Sequence, residues 1–294
     1  PLQPCPAFDR GAMTVLAKLE NRQPTGSFKL RGATAKVSSL NAAERAAGIV
    51  TASTGNHGAA VARAAGNAGV AAEVFVSPQA EAKKVAAIQA LGATITTIPG
   101  DPVVAEVAAR RAAEATARPY LSPYNDITVV AGQGTIGVEL LRQAPDLAAV
   151  VVSVGGGGLI SGIAATLKTH RPEIQIIGAS ATNTAAMHHS VAAGRIVEVD
   201  HRPTLSDGTA GGIEPGAVTF DICRMLVDEW LLIDEEEIAA AMRTYIKQYN
   251  EPIEGSAGMA LAACSKLNVA GPVAAIVCGG NVAADRLREV GIEW

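Results

Sequence analysis

Apolar positions along the chain fall into short runs bounded by glycine or small polar residues, and each run is followed by a longer stretch with helical spacing. This rhythm predicts strands over 48–52, 72–76, 93–98, 149–154, 174–179, 230–233 and 273–278, each leading into a helix of about ten residues or more. Most of the runs do not alternate between polar and apolar positions, so both faces of each strand are buried, as happens when helices cover a parallel sheet on both sides. The chain therefore reads as an α/β protein with mainly parallel twisted sheets and flanking helices.

Composition agrees with this picture. The 294 residues are enough for one large or two moderate domains, and no low-complexity tract, internal repeat or Pro/Ser-rich linker marks a boundary. The net charge of −4, with acids and bases interspersed and only 3% aromatics, offers neither a basic surface nor a stacking platform for nucleic acid. Cys5, Cys223, Cys264 and Cys278 have no close metal-ligand spacing, and a chain of this length needs no disulfide. A reducing cytoplasm is the expected compartment. No apolar run reaches the ~18 residues of a membrane span. No signal peptide precedes Pro1, although the abrupt start leaves room for a lost leader.

Three segments carry chemistry. In Pro24-Thr25-Gly26-Ser27-Phe28-Lys29-Leu30-Arg31-Gly32-Ala33, one lysine stands behind a small flexible turn. A lysine amine becomes a useful nucleophile when it is desolvated or joined to a carbonyl cofactor, so a functional Lys29 needs a phosphate cradle and a ring pocket elsewhere in the chain. The competing reading is a lysine on a solvated helix face together with Lys36. The cradle is offered by Gly155, Gly156, Gly157 and Gly158, which follow the apolar run 149–154 and precede an apolar helical pattern. Amides in such a turn, and at the helix start behind it, can converge on a phosphate without any cation. Gly-Lys-Ser/Thr does not follow, and Ile160 takes the third glycine position of a dinucleotide fingerprint, so a small phosphate monoester fits better than a nucleotide. The third segment, Thr51-Ala52-Ser53-Thr54-Gly55-Asn56-His57-Gly58, gathers small polar residues at a predicted helix start, which favours a carboxylate.

Together with Glu254-Gly255-Ser256-Ala257-Gly258 and the closing Cys278-Gly279-Gly280-Asn281, these segments resemble the pyridoxal-phosphate enzymes of the tryptophan-synthase β fold (fold type II). Within that group the likeness is to threonine/serine dehydratases and serine racemase, and it spans essentially the whole chain. The resemblance implies pyridoxal 5'-phosphate as cofactor, with Lys29 forming the internal aldimine and Phe28 packing on the ring. It also implies that Asn56 bonds the ring hydroxyl, Gly155 to Gly158 hold the phosphate, Glu254 lies beside the cofactor and Cys278 faces the pyridine nitrogen. Ser53, Thr54, Gly55, Asn56 and His57 then receive the substrate carboxylate, and Lys29 and Thr54 are the catalytic candidates. His57 reads as a structural residue of the helix start rather than an acid or base.

The implied division is a large cofactor-binding domain over 1–41 and 129–294, with a small mobile domain over 42–128. The implied activity is β-elimination from a hydroxy amino acid such as L-threonine or L-serine, giving a 2-oxo acid and ammonia. Serine racemase and cysteine-synthase-like β-replacement are the alternatives. Thr54 separates the first two, because racemases of this kind carry serine there and many dehydratases carry alanine. The implied partners are a small amino-acid substrate and further copies of the chain in a homodimer or larger homo-oligomer, with neither nucleic acid nor membrane. Relatives with a divalent cation carry acids after the strand that follows the glycine turn. The corresponding stretch here, Gly178 to Ala186, has none, so no metal is expected. Tyr124, Asn125, Asp126 and Glu214 are further candidates for the pocket mouth.

Overall fold

A computed structural model describes residues 1–294. In chain order the elements are β1 (Leu2–Pro4), β2 (Met13–Leu19), α1 (Lys29–Ser39), α2 (Ala42–Ala47), β3 (Ile49–Ala52), α3 (Asn56–Ala68), β4 (Ala72–Val76), α4 (Ala82–Ala90), β5 (Thr94–Thr97), α5 (Pro102–Ala115) and α6 (Ile127–Gln143). There follow β6 (Ala149–Ser153), α7 (Gly158–His170), β7 (Gln175–Ala181), α8 (Ala186–Ala193), α9 (Val218–Leu226), β8 (Glu229–Ile233), α10 (Glu235–Tyr249), α11 (Gly255–Cys264), β9 (Gly271–Val277) and α12 (Ala284–Glu289).

The chain forms two compact units. One comprises 1–28 and 133–294, the other 29–132. These limits differ from the division expected at 41/42 and 128/129, and helix packing gives the reason. Ala33 and Val37 of α1, with Leu40 just beyond its end, are buried in one cluster with Val61, Ala64 and Ala65 of α3, so α1 belongs with the strands that follow it. The passage between units at 28/29 falls at the start of α1.

In the larger unit a six-stranded sheet runs in the order β1-β2-β9-β6-β7-β8. All its pairings are parallel except β1 with β2. β6 and the inner residues of β7 and β9 are buried, as non-alternating runs require. β1 and β2 were not foreseen in the sequence, and Lys18 shows why. It is wholly buried in β2, yet it reaches Glu139 of α6 with its ammonium and donates to Gln143 Oε1 at 2.9 Å. A lysine in the middle of a run disguises a central strand, although Val15, Ala17 and Leu19 are all buried around it.

The smaller unit carries a parallel three-stranded sheet, β3-β4-β5. Ile49, Val74 and Val76 bury into the cluster under α1 and α3, while Val50 and Phe75 pack against Ala109 and Ala113 of α5. Local chemistry fixes the helix ends. Asn41 and Glu44 form a reciprocal capping box at α2, Asp101 accepts from Val104 N ahead of Pro102 in α5, and Gly69 ends α3 in the left-handed region. Some helices are shorter than the pattern suggested, α4 having 9 residues, α8 having 8 and α12 having 6.

Candidate active site

In the smaller unit, Lys29 is the first residue of α1 and its ammonium donates to the Pro123 carbonyl at 3.0 Å. The segment after β3 turns through Ser53, Thr54 and Gly55 into α3, whose first residue is Asn56. The N-cap of this helix is Gly55, which has no side chain to cap it. Ser53 Oγ accepts from Gly55 N at 3.2 Å, which folds the turn tightly. At Gly58 a Cβ would lie 2.2 Å from the Ser53 carbonyl oxygen, so only glycine fits where the helix passes beneath the turn.

His57 is buried, and its Nε2 lies 2.9 Å from the Leu121 carbonyl. A carbonyl only accepts, so Nε2 carries the proton. Burial lowers the imidazole pKa to about 3 and the Lys29 charge adds to the effect, together outweighing the Leu121 carbonyl. A neutral ring of such low basicity, with its one N–H already engaged, is a poor proton carrier at neutral pH. Asp126 is also committed. Its carboxylate pairs with Lys36 at 2.6 Å and accepts from Thr128 N and Val129 N at the start of α6. Burial alone would raise its pKa, but the Lys36 hydrogen bond and charge and the two amides bring it below the ordinary value. Ser122 Oγ accepts from Asn125 N at 3.0 Å, so that part of the loop is held from within.

In the larger unit residues 27 and 28 run beside the end of β9. Ser27 makes an antiparallel bridge with Gly279, and Phe28 N donates to the Cys278 carbonyl at 3.0 Å. Cys278 is the first residue beyond β9, buried at the carboxyl edge of the sheet, where ligands of such folds collect. Glu254 stands immediately before α11. Its N–H donates to the Gly279 carbonyl at 3.1 Å, and its Oε1 accepts from Asn281 N at 2.8 Å. Ser27 Oγ is buried and has no hydrogen-bond partner, a polar atom left unmatched one residue before Phe28.

The glycine turn joins β6 to α7, with Gly157 in the left-handed region at φ +83° and Gly158 opening the helix. At Gly155 and Gly157 its surroundings leave no space for a side chain. A Cβ on Gly155 would stand 2.8 Å from Thr209 Cα, and one on Gly157 would stand 2.9 Å from Met187 Cε and 3.0 Å from Cys223 Sγ. Thr219 Oγ1 donates to the Gly156 carbonyl at 2.7 Å. Behind Thr209, Ser206 is fully buried and joined to Thr209 Oγ1 at 2.7 Å and Ser256 Oγ at 2.9 Å, while Ser153 of β6 bonds the Ser256 carbonyl. A turn of four glycines at the start of a 13-residue helix suits an anionic tail held by amides.

This chain belongs to a known class. It is a member of the pyridoxal-phosphate dependent enzymes, whose family pattern matches residues 1–279. An L-threonine ammonia-lyase of Thermotoga maritima is 40% identical over 278 residues, covering 94% of this chain and 69% of the relative. Among solved structures, maize serine racemase superposes with a TM-score of 0.92 at 31% identity, covering 98% of this chain and 90% of the other. A processed threonine deaminase isoform of Solanum lycopersicum gives 0.89 at 33% identity, covering 95% and 82%. The residues present fit the family's cofactor. The glycine turn excludes side chains where a phosphate needs amides, Ser27 leaves a buried hydroxyl unmatched, and a primary amine follows two residues later.

Within the smaller unit the structure brings Lys29 and His57 into electrostatic contact and sets Ser53 to Gly55 at the start of α3. Within the larger unit it joins Phe28 to Cys278 and holds Glu254 against Gly279. Asp126, considered for the pocket mouth, is spent on Lys36 and on capping α6. His188 and His189 lie edge-on with ring centroids 5.1 Å apart, and no group of three or more His, Cys, Asp or Glu gathers as a metal site. Sequence reasoning missed Pro123, Thr219 and Cys223 as supports. Pro123 acts through its main chain and leaves no signal. Thr219 and Cys223, four residues apart on α9, were marked only by their shared helix face.

Proposed function

We propose that this chain is an ammonia-lyase that uses pyridoxal phosphate to dehydrate and deaminate a hydroxy amino acid, such as L-threonine or L-serine, to a 2-oxo acid and ammonia. The observation that carries this reading is the Lys29 amine, held on the Pro123 carbonyl beside an imidazole too weakly basic to take its place as the proton carrier. The 40% identity to a threonine ammonia-lyase across nearly the whole chain supports the choice of reaction.

When bound, the cofactor supplies a carbonyl that a primary amine can capture and a ring that draws electrons from the substrate Cα. Lys29 is the amine that would hold it, Gly155 to Gly158 would receive the phosphate on their amides, and Phe28 would pack against the ring. Asn56 would bond the ring hydroxyl, Glu254 would lie beside the ring, and Cys278 would face its nitrogen. A thiol is a weak donor and does not stabilise a pyridinium as a carboxylate does, so prompt departure of a β-hydroxyl is favoured over transamination. Ser53, Thr54 and the first amides of α3 take the substrate carboxylate. The Lys29 amine, once freed, removes the Cα proton. Water is lost in the elimination and regained in the hydrolysis that releases ammonia.

Racemisation is the second reading, favoured by the likeness to maize serine racemase and by the hydroxyl of Thr54. The β-branched side chain of Thr54 restricts that hydroxyl, so elimination should dominate. Incubation with L-threonine and L-serine, scored for oxo acid, ammonia and D-isomer, decides the matter. Abundant D-serine with little pyruvate would overturn the ammonia-lyase assignment. Borohydride reduction of the coloured protein followed by peptide mapping tests the lysine, and an adduct anywhere but Lys29 removes the basis of the site. The same reading includes a homodimer or larger assembly in the cytoplasm. Light scattering that gives a monomer at working concentration would reject the assembly.

A further inference from the structure

Helix α9 lies along the outer side of the glycine turn. Thr219 and Cys223, one helical turn apart, are both fully buried against it, and a Cβ at left-handed Gly157 would stand 3.0 Å from Cys223 Sγ and 3.1 Å from Thr219 Cβ. The closest bond is Thr219 Oγ1 to the Gly156 carbonyl at 2.7 Å. This carbonyl shares a peptide plane with the N–H of Gly157, and the chain has no cis peptide bond. In a trans peptide the C=O and the following N–H point in opposite directions. Fixing the Gly156 oxygen on α9 therefore fixes the Gly157 N–H on the face turned away from α9.

The α7 ladder begins with Ser161 N donating to the Gly157 carbonyl at 2.9 Å, so the Gly157 amide lies ahead of the helix and has no intrahelical acceptor. A four-glycine run is also the most conformationally free backbone a chain can have, and without an external anchor its amides lose their common aim.

We propose that Thr219 is a positioning residue for the anion cradle: by holding the Gly156 carbonyl, it aims the Gly157 amide at the cofactor phosphate without touching the cofactor. The proposal rests on the reading of Gly155 to Gly158 as the phosphate site and adds a residue outside the glycine run. It predicts a defect confined to the phosphorylated ligand. Thr219→Val keeps the shape and the packing on Gly157 but removes the donor. Thr219→Ser keeps the donor and gives up a methyl group.

The test strips the full-length protein of cofactor and titrates it with pyridoxal phosphate and, separately, with pyridoxal, following the visible absorbance. The unaltered chain should bind the phosphorylated form far more tightly. Thr219→Val should weaken pyridoxal phosphate by about two- to tenfold, the range for one lost hydrogen bond, and leave pyridoxal unchanged. Thr219→Ser should restore the unaltered value. Equal discrimination by Thr219→Val and the unaltered chain would overturn the role of Thr219 alone. A parallel loss for both ligands would also overturn it, because general loosening of the fold acts on both. If the unaltered chain itself bound the two ligands alike, the phosphate-cradle reading would fall first, and Thr219's role with it.

Discussion

Two strand-turn-helix junctions bear the proposed chemistry, and they are built in opposite ways. At 155–158 the turn is bare backbone, and its surroundings are closed at Gly155 and Gly157. Thr209, Met187, Cys223 and Thr219 fill the space where side chains would stand, and the start of α7 is buried. At 52–58 the turn carries Ser53, Thr54 and Asn56, all partly exposed, and around Gly55 nothing stands within 4 Å of where a Cβ would lie. One junction is fixed from outside by neighbouring elements, while the other is held mainly by Ser53 and by buried His57. A constant phosphate calls for preset amides, whereas a substrate that comes and goes calls for accessible polar groups. The contrast matches the proposed division between cofactor tail and substrate carboxylate.

The largest effect that would test this division lies outside both turns. Lys29→Ala should lower turnover by about a thousandfold or more while the fold persists, because no neighbouring base replaces the amine. Circular dichroism alongside the lyase assay checks it, and retained turnover breaks the scheme.

The next comparison sets the two turns directly against each other. Gly157→Ala forces a residue with a Cβ into φ +83° within 3.1 Å of three side chains, a strain of about 1–3 kcal/mol that should weaken pyridoxal phosphate roughly 10- to 100-fold. Gly55→Ala, at φ −98° with open space around it, should leave cofactor affinity within about twofold. Equal losses at both glycines would erase the contrast between a closed and an open junction.

His57 gives a pH signature belonging to the open junction. Its folded pKa of about 3 lies below its ordinary 6.5, so between these values the unfolded chain binds more protons and stability falls as pH falls. The slope from this group approaches about 1.4 kcal/mol per pH unit within that window and vanishes above it. His57→Gln, which keeps a donor for the Leu121 carbonyl, should flatten the slope in denaturant titrations from pH 7 to pH 4. An unchanged slope would mean that His57 does not titrate as a buried neutral group. The smallest expected effect is that of exhaustive chelation, which should leave the lyase rate unchanged. Full loss with rescue by magnesium would show a metal requirement.

Most of the strands were legible because both-face burial writes itself as uninterrupted apolar runs, as in β6 with Ala149-Val150-Val151-Val152. β2 was not, since Lys18 is paid for by Glu139 and Gln143, residues far away in the chain. The site residues stood out where chemistry demands unusual local sequence, four glycines in line or a lysine behind a small turn. Their supports did not stand out. Thr219 is an ordinary residue whose importance lies in the atom it meets, and Pro123 contributes only a carbonyl.

The amino-acid sequence by itself determined the alternation of strands and helices, the glycine turn and the lysine, because backbone sterics and burial periodicity act between near neighbours in the chain. Tertiary structure alone decided where the units divide, that α1 packs with α3, that His57 is a neutral buried ring and that α9 braces the Gly156 carbonyl. Each of these depends on desolvation or contact between residues distant in sequence, and such energies exist only once the chain has folded.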